Sequence, residues 1–229
     1  DKIPGWLVNV GGRLKNGPDQ KLYITTGDAG NPSSAQDLSS TAGKILRIEL
    51  DGRIPEDNPF PNSPVYSLGL RNPQGLTWSS KNVMYATDHG AAAHDEINII
   101  EPEGNYGWPI VQGDEVSSEL KSIKPLIHSG DETWAPSGIA FVNQGPWQGK
   151  LIAAALRGEQ LLGFPLNNNG TKVKEIESWL KDEYGRLREV VQAKDGTIYI
   201  TTSNRDGRKG VPDIADDRIL RLIPKSSTI

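Results

Sequence analysis

KLYITTGDAG, residues 21–30, recurs as TIYITTSNRD at 197–206 and more loosely as NVMYATDHGA at 82–91 and KLIAAALRGE at 150–159. Each copy runs through β-branched, aromatic or small apolar residues and ends in a polar loop at or beside a glycine. That pattern predicts a short strand closed by a loop. A second apolar run follows every copy: GKILRIEL (43–50), DEINIIEP (95–102), EQLLGFPL (159–166) and DRILRLIP (217–224). Another precedes it: GGRLKN (11–16), NPQGLTWS (72–79), SGIAFVNQ (137–144) and RLREVVQA (186–193). Gly17-Pro18-Asp19-Gln20 and Lys194-Asp195-Gly196 carry hairpin chemistry between the first two strands of their units.

Measured at Tyr23, Tyr85, Ile152 and Tyr199, the unit repeats every 47 to 67 residues. A repeat of that length built from consecutive antiparallel strands is one blade of a β-propeller. The expectation is therefore an all-β chain, 1–229, forming one partial propeller domain of about four four-stranded blades. Because the chain opens almost at the first blade, further blades are expected ahead of it. The rival architecture is a β-sandwich. Residues 113–124 read as an insertion with helical turns.

Bulk properties narrow the function. The 229 residues carry 25 Lys and Arg against 29 Asp and Glu, a net charge of −4, so no basic face invites nucleic acid or anionic lipid. No stretch approaches the roughly 18–20 apolar residues needed to span a bilayer. With no Cys, disulfides, thiolate metal sites and Cys nucleophiles are excluded.

In a blade of alternating strands, the approach to strand one and the link between strands two and three lie on the same face. The approaches are 9–13, 69–75, 134–138 and 184–188; the links are 27–30, 88–95, 156–159 and 203–208. Arg13, Arg71, Arg157, Arg186, Arg188, Asp28, His89 and Asp95 are thus expected around one mouth. So many guanidinium groups suit a ligand with several carboxylates. His89 and His94 fit no standard zinc spacing, and a hard cation held by carboxylate and backbone carbonyls suits this loop better.

Several motifs together resemble the soluble glucose/sorbosone dehydrogenases, aldose sugar dehydrogenases that use pyrroloquinoline quinone. They are GRLKNGPDQKLYITTGDAG (12–30), AGKILRIELDGRIPEDNPFP (42–61), SLGLRNPQGL (67–76), HDEINII (94–100) with GNYGWP (104–109), APSGIAF (135–141), and TSNRDGR (202–208) with DDRILRL (216–222). The resemblance covers the whole chain and implies a six-bladed propeller of which roughly the N-terminal third is absent. It implies that Arg71 and Asn72 contact the quinone while Arg157, Arg186 and Arg188 bind its carboxylates. One Ca2+ would sit on the carbonyls of Gly90 and Ala91, and a second, structural one on Glu96 and the Tyr106 carbonyl. The implied reaction takes a hydride from C1 of an aldose sugar to the quinone, yields a lactone and passes electrons to an external acceptor, in an extracellular or periplasmic setting. Two positions depart from the family. Asn9 stands where the family keeps a general-base His, and Leu156 precedes Arg157 where some members have Lys. The alternative is a non-catalytic propeller that binds calcium and a sugar or protein partner.

Overall fold

The computed structural model describes residues 3–208 and 210–223. Among the described residues, fifteen strands form four antiparallel sheets, each taking its strands in chain order. The first blade is β1 (Leu14–Asn16), β2 (Leu22–Thr26), β3 (Lys44–Ile48) and β4 (Val65–Leu68). The second is β5 (Pro73–Trp78), β6 (Met84–Asp88), β7 (Glu96–Ile100) and β8 (Ile127–His128). The third is β9 (Pro136–Phe141), β10 (Lys150–Ala155), β11 (Gln160–Pro165) and β12 (Glu177–Trp179). The fourth has three strands among the described residues: β13 (Leu187–Gln192), β14 (Ile198–Thr202) and β15 (Ile219–Leu222). The repeated runs are the first three strands of each blade. Their registers agree: Tyr23, Tyr85, Ile152 and Tyr199 pair with Lys15, Thr77, Ala140 and Val191 on the innermost strands.

Among the described residues, three apolar cores lie between consecutive blades, which identifies the propeller and excludes a two-sheet sandwich with one shared core. Tyr23, Ile45, Leu76 and Met84 fill the first interface. Tyr85, Ile97, Ile139, Leu151 and Phe164 fill the second, and Ile152, Ala154, Leu161, Val190 and Ile200 the third. Strand β10 is covered on both faces, which is why LIAAA is continuously apolar. Its small residues let neighbouring sheets close up. Strand β15, with a blade on one side only among the described residues, alternates exposed and half-buried positions.

The threonine of the repeated run ties one blade to the next. Thr25 Oγ1 donates to the Pro73 carbonyl at 2.7 Å, and the equivalent Thr87 Oγ1 to the Ser137 carbonyl at 2.9 Å. A Cβ on Gly75 would collide with the Ser137 carbonyl, so only glycine allows β5 this close to β9. Lys44 is fully buried at the start of β3 and donates to the carbonyls of Ser34, Ala35 and Ala42. Burial pushes its pKa down to about 8.

Residues 113–124 contain no helix, contrary to the expectation from sequence. The Gly113 amide donates to Glu96 Oε1 at 2.8 Å and the Ile123 amide to the Asn105 carbonyl at 2.8 Å. Both ends are thereby spent on the blade rim instead of on helical bonds.

Candidate functional site

Approaches and links converge as the blade argument requires, because link side chains bond approach backbones. Asp88, at the end of β6, accepts the Arg71 and Asn72 amides at 2.9 and 2.6 Å. Asn204 does the same for the Arg186 amide at 2.8 Å in the fourth blade. Asp95 joins two blades: Oδ1 accepts the Gly90 amide at 3.0 Å, and Oδ2 the Trp134 and Ala135 amides at 2.7 and 2.8 Å.

These loops enclose a cleft of about 720 Å3 lined by Asn9, Arg71, Asn72, His89, Gly90, Ala91, Arg157, Arg186 and Arg188. The candidates from sequence are therefore brought together, apart from Arg13, Asp28, Glu96 and Tyr106. Arg157 stands exposed at the lip. Arg71 donates to the Gly90 carbonyl at 2.7 Å and lies over the Trp108 ring at 5.4 Å. Arg13 does not line the cleft. It lies beneath, paired with Glu189 of the fourth blade and donating to the Gln74 carbonyl at 3.0 Å.

The cleft floor is made by β-bulges. Register shifts occur at Pro73/Gly75, Ala153/Ala155 and Leu187/Glu189. A bulge adds one residue and re-aims its side chain. Here Gln74, Ser137 and Arg188 turn to one point. Arg188 Nη1 donates to Gln74 Oε1 at 2.9 Å and reaches Ser137 Oγ at 3.4 Å, and Ser137 Oγ donates to Gln74 Oε1 at 3.2 Å. Three blades are thus cross-linked at the axis.

His89 Nε2 lies 3.0 Å from the Pro136 carbonyl, which can only accept, so Nε2 carries the hydrogen. Nδ1 then accepts from Asn72 Nδ2 at 3.3 Å. Burial pushes this histidine down to about 4, so at neutral pH it is uncharged with both nitrogens engaged. Asn9 sits at the lip with φ 54°. Its Nδ2 donates to Asp28 Oδ1 at 3.0 Å, and its carbonyl accepts the Ala29 amide at 2.9 Å. Asp28 also accepts the Gly30 amide and Trp108 Nε1, both at 2.9 Å.

Glu96 and Tyr106 share a smaller cavity of about 10 Å3 with Asp88, His94 and Trp108, beneath the Arg71 loop. A space of that size admits a single water-sized occupant. Asp88 and Glu96 are both buried, and burial first, then the Glu96 charge, pushes Asp88 up to about 8. Asn98 Oδ1 and His94 Nδ1 are buried without a hydrogen-bond partner. Among the described residues, no group of three or more His, Cys, Asp or Glu side chains is disposed to hold a metal by side chains alone.

Sequence reasoning missed Asp206 and Arg208, which line the cleft, and Leu7, Val8 and Val10, which give it an apolar wall. The first two stand in the 203–208 link that topology already assigned to the mouth. The apolar wall precedes the first strand and had no periodic signal.

The sequence profile of the Glucose / Sorbosone dehydrogenase family matches residues 6–220. The chain belongs to that family. It is 35% identical over 220 residues to the aldose sugar dehydrogenase of Escherichia coli, matching 87% of this chain and 58% of the relative. To quinoprotein glucose dehydrogenase B of Acinetobacter calcoaceticus it is 38% identical over 187 residues, 68% of this chain and 39% of the relative. The aldose sugar dehydrogenase of Streptomyces coelicolor, solved in a PQQ-bound form, superposes with a TM-score of 0.88 at 42% identity. That match covers 96% of this chain and 63% of the Streptomyces chain. The chain thus spans little more than half the length of the Escherichia coli relative. Among the described residues, no helix is long and apolar enough to cross a membrane.

Proposed function

We propose that residues 1–229 form one partial propeller domain carrying the cofactor cleft of a pyrroloquinoline quinone-dependent aldose sugar dehydrogenase. The observation that carries this reading is the pairing of two unlike kinds of lining in one cleft. Arg71, Arg157, Arg186, Arg188 and Arg208 line it together with Leu7, Val8 and Val10. A planar aromatic tricarboxylate matches both, guanidinium groups against its carboxylates and aliphatic carbons against its ring face. Asn72 also lines the cleft, its amide held between the Gly11 amide and His89 Nδ1.

The residues also suit calcium. Gly90 and Ala91 belong to a loop that lines the cleft, where Ca2+ would share the Gly90 oxygen with Arg71 or displace it. A second cation between Glu96 and the Tyr106 carbonyl would relieve two buried carboxylates that otherwise repel each other. When bound, the quinone with calcium beside it would supply a two-electron acceptor for the hydride on C1 of an aldose, the hydroxyl proton would pass to solvent water, the product would be a lactone, and an external acceptor would reoxidise the cofactor. The chain's own part is to bind and orient. Asn9 offers an amide oxygen to a sugar hydroxyl but holds no proton-accepting state near neutral pH. His89 is engaged at both nitrogens. An extracellular or periplasmic location belongs to the same proposal.

The test is a titration of the chain with pyrroloquinoline quinone and Ca2+, followed by quinone absorbance and tryptophan fluorescence. Saturable binding is expected, weakened at least about a hundredfold in a double Arg186→Gln, Arg188→Gln variant. Absence of saturable binding would sink the reading. Calcium alone is expected to raise the urea midpoint of unfolding, because an ion bound only by the folded state stabilises it. That gain should vanish in Glu96→Gln, and equal gains in both proteins would remove Glu96 from the ligand set.

A further inference from the structure

Arg186 and Arg188 do not face the cleft as free cations. Both turn toward one oxygen, Oδ2 of Asp206. Arg186 donates to it from Nη2 at 2.8 Å and from Nε at 3.1 Å, and Arg188 Nη2 lies 3.7 Å away. Asp206 Oδ1 accepts the Arg208 amide at 3.0 Å, the short turn in which a carboxylate bonds the amide two residues on. The Asp206 side chain is 20% exposed and lines the cleft. Asp95, the other aspartate on the lining, is spent on three backbone amides. Asp206 is therefore the carboxylate that answers the arginines.

The charges around it explain why one is needed. Burial is the largest influence lowering the Arg188 pKa, and Arg186, Arg13 and Arg208 push in the same direction while Asp206 opposes them. Four guanidinium groups gather near the axis, with Asp206 and Glu189 as their counter-charges. Glu189 is taken by Arg13 beneath the floor. Among the described residues, Asp206 is the cleft-lining carboxylate paired with Arg186 and Arg188.

We propose that Asp206 is an internal counter-ion, holding between Arg186 and Arg188 the position of a ligand carboxylate and so setting the cleft's affinity and salt sensitivity for polycarboxylates. The inference rests on the polycarboxylate reading of the cleft given above. An arriving carboxylate shares both guanidinium groups with Asp206 and meets its negative charge at short range. Asparagine at 206 removes the charge and keeps a single acceptor, so that its oxygen serves either Arg186 or the Arg208 amide while its NH2 faces the other donor.

Calorimetric titrations at neutral pH and fixed ionic strength would use two probes, pyrroloquinoline quinone with Ca2+ and citrate, a tricarboxylate that lacks the quinone. Asp206→Asn is expected to bind both roughly tenfold more tightly than the parent chain, with a steeper loss of affinity as salt rises. Asp206→Ser, which also removes the charge, should tighten binding in the same direction and guards against a folding defect in the first variant. Unchanged or weaker binding of both probes by folded variants would overturn the proposal and leave Asp206 as a group that merely positions Arg186. If the parent chain holds citrate and not the quinone, the quinone reading fails while the citrate comparison still decides the role of Asp206. Binding of neither probe overturns both.

Discussion

Asn9→His is expected to raise aldose-dependent dye reduction, with quinone and calcium supplied, by about 10²–10⁴-fold, the range that a positioned proton acceptor contributes. The site is prepared for the change. Asn9 Nδ2 already donates to Asp28 Oδ1 at 3.0 Å, and a ring N–H of histidine can make the same bond. Asp28 would then fix the tautomer and leave the other ring nitrogen as an acceptor toward the cleft. The backbone tolerates the substitution, since φ of 54° suits Asn and His better than most residues. Gly27 leaves room beneath, because a Cβ there would collide with the Asn9 carbonyl. The measurement is kcat against pH. A rate that rises with a histidine-like pKa supports the idea, and a rate equal to that of the parent chain, at full cofactor occupancy, ends it.

Asp95→Ala is expected to cost about 3–5 kcal/mol of stability, measured by urea unfolding, because one buried and two half-buried amides lose a buried charged acceptor together. The Gly90, Trp134 and Ala135 amides belong to loops of the second and third blades, and no other described acceptor serves them. Asp95→Asn should recover little, since its NH2 would replace one of the two accepting oxygens and so face one or two amide donors. The damage is expected to spread to the cleft, where Gly90 and Ala135 form adjacent lining, so quinone affinity should fall with stability. A loss below about 1 kcal/mol would show that water replaces the carboxylate at this junction.

The two residues differ in how far they could be read from the chain itself. Asp95 was assigned to the mouth by strand order, yet its role as a bolt between blades needed Trp134 and Ala135, nearly forty positions away, to be beside it. Asn9 was readable as a departure from a motif. Its contact with Asp28 follows from the first blade's approach lying against its own link.

Repetition made the fold legible. Twelve strands across four blades follow from one pattern of β-branched and apolar runs separated by turns, because each blade solves the same local burial problem. Outer strands β4, β8 and β12 were not, since they are two to four residues long and carry little of that pattern. Convergence of the arginines also followed from strand alternation alone. What alternation could not supply was charge pairing. Arg13 reads as a cleft residue by position, and only the bulges at the axis, with Glu189 within reach, take it below the floor.

The linear chain thus determined blade number, strand order and the identity of the loops that share a face, all consequences of period-two burial repeated along it. Tertiary structure decided which of the charged groups on that face remain available to a ligand. Guanidinium and carboxylate groups choose partners by distances of a few ångströms, and those distances are set by how blades pack around an axis rather than by spacing in sequence.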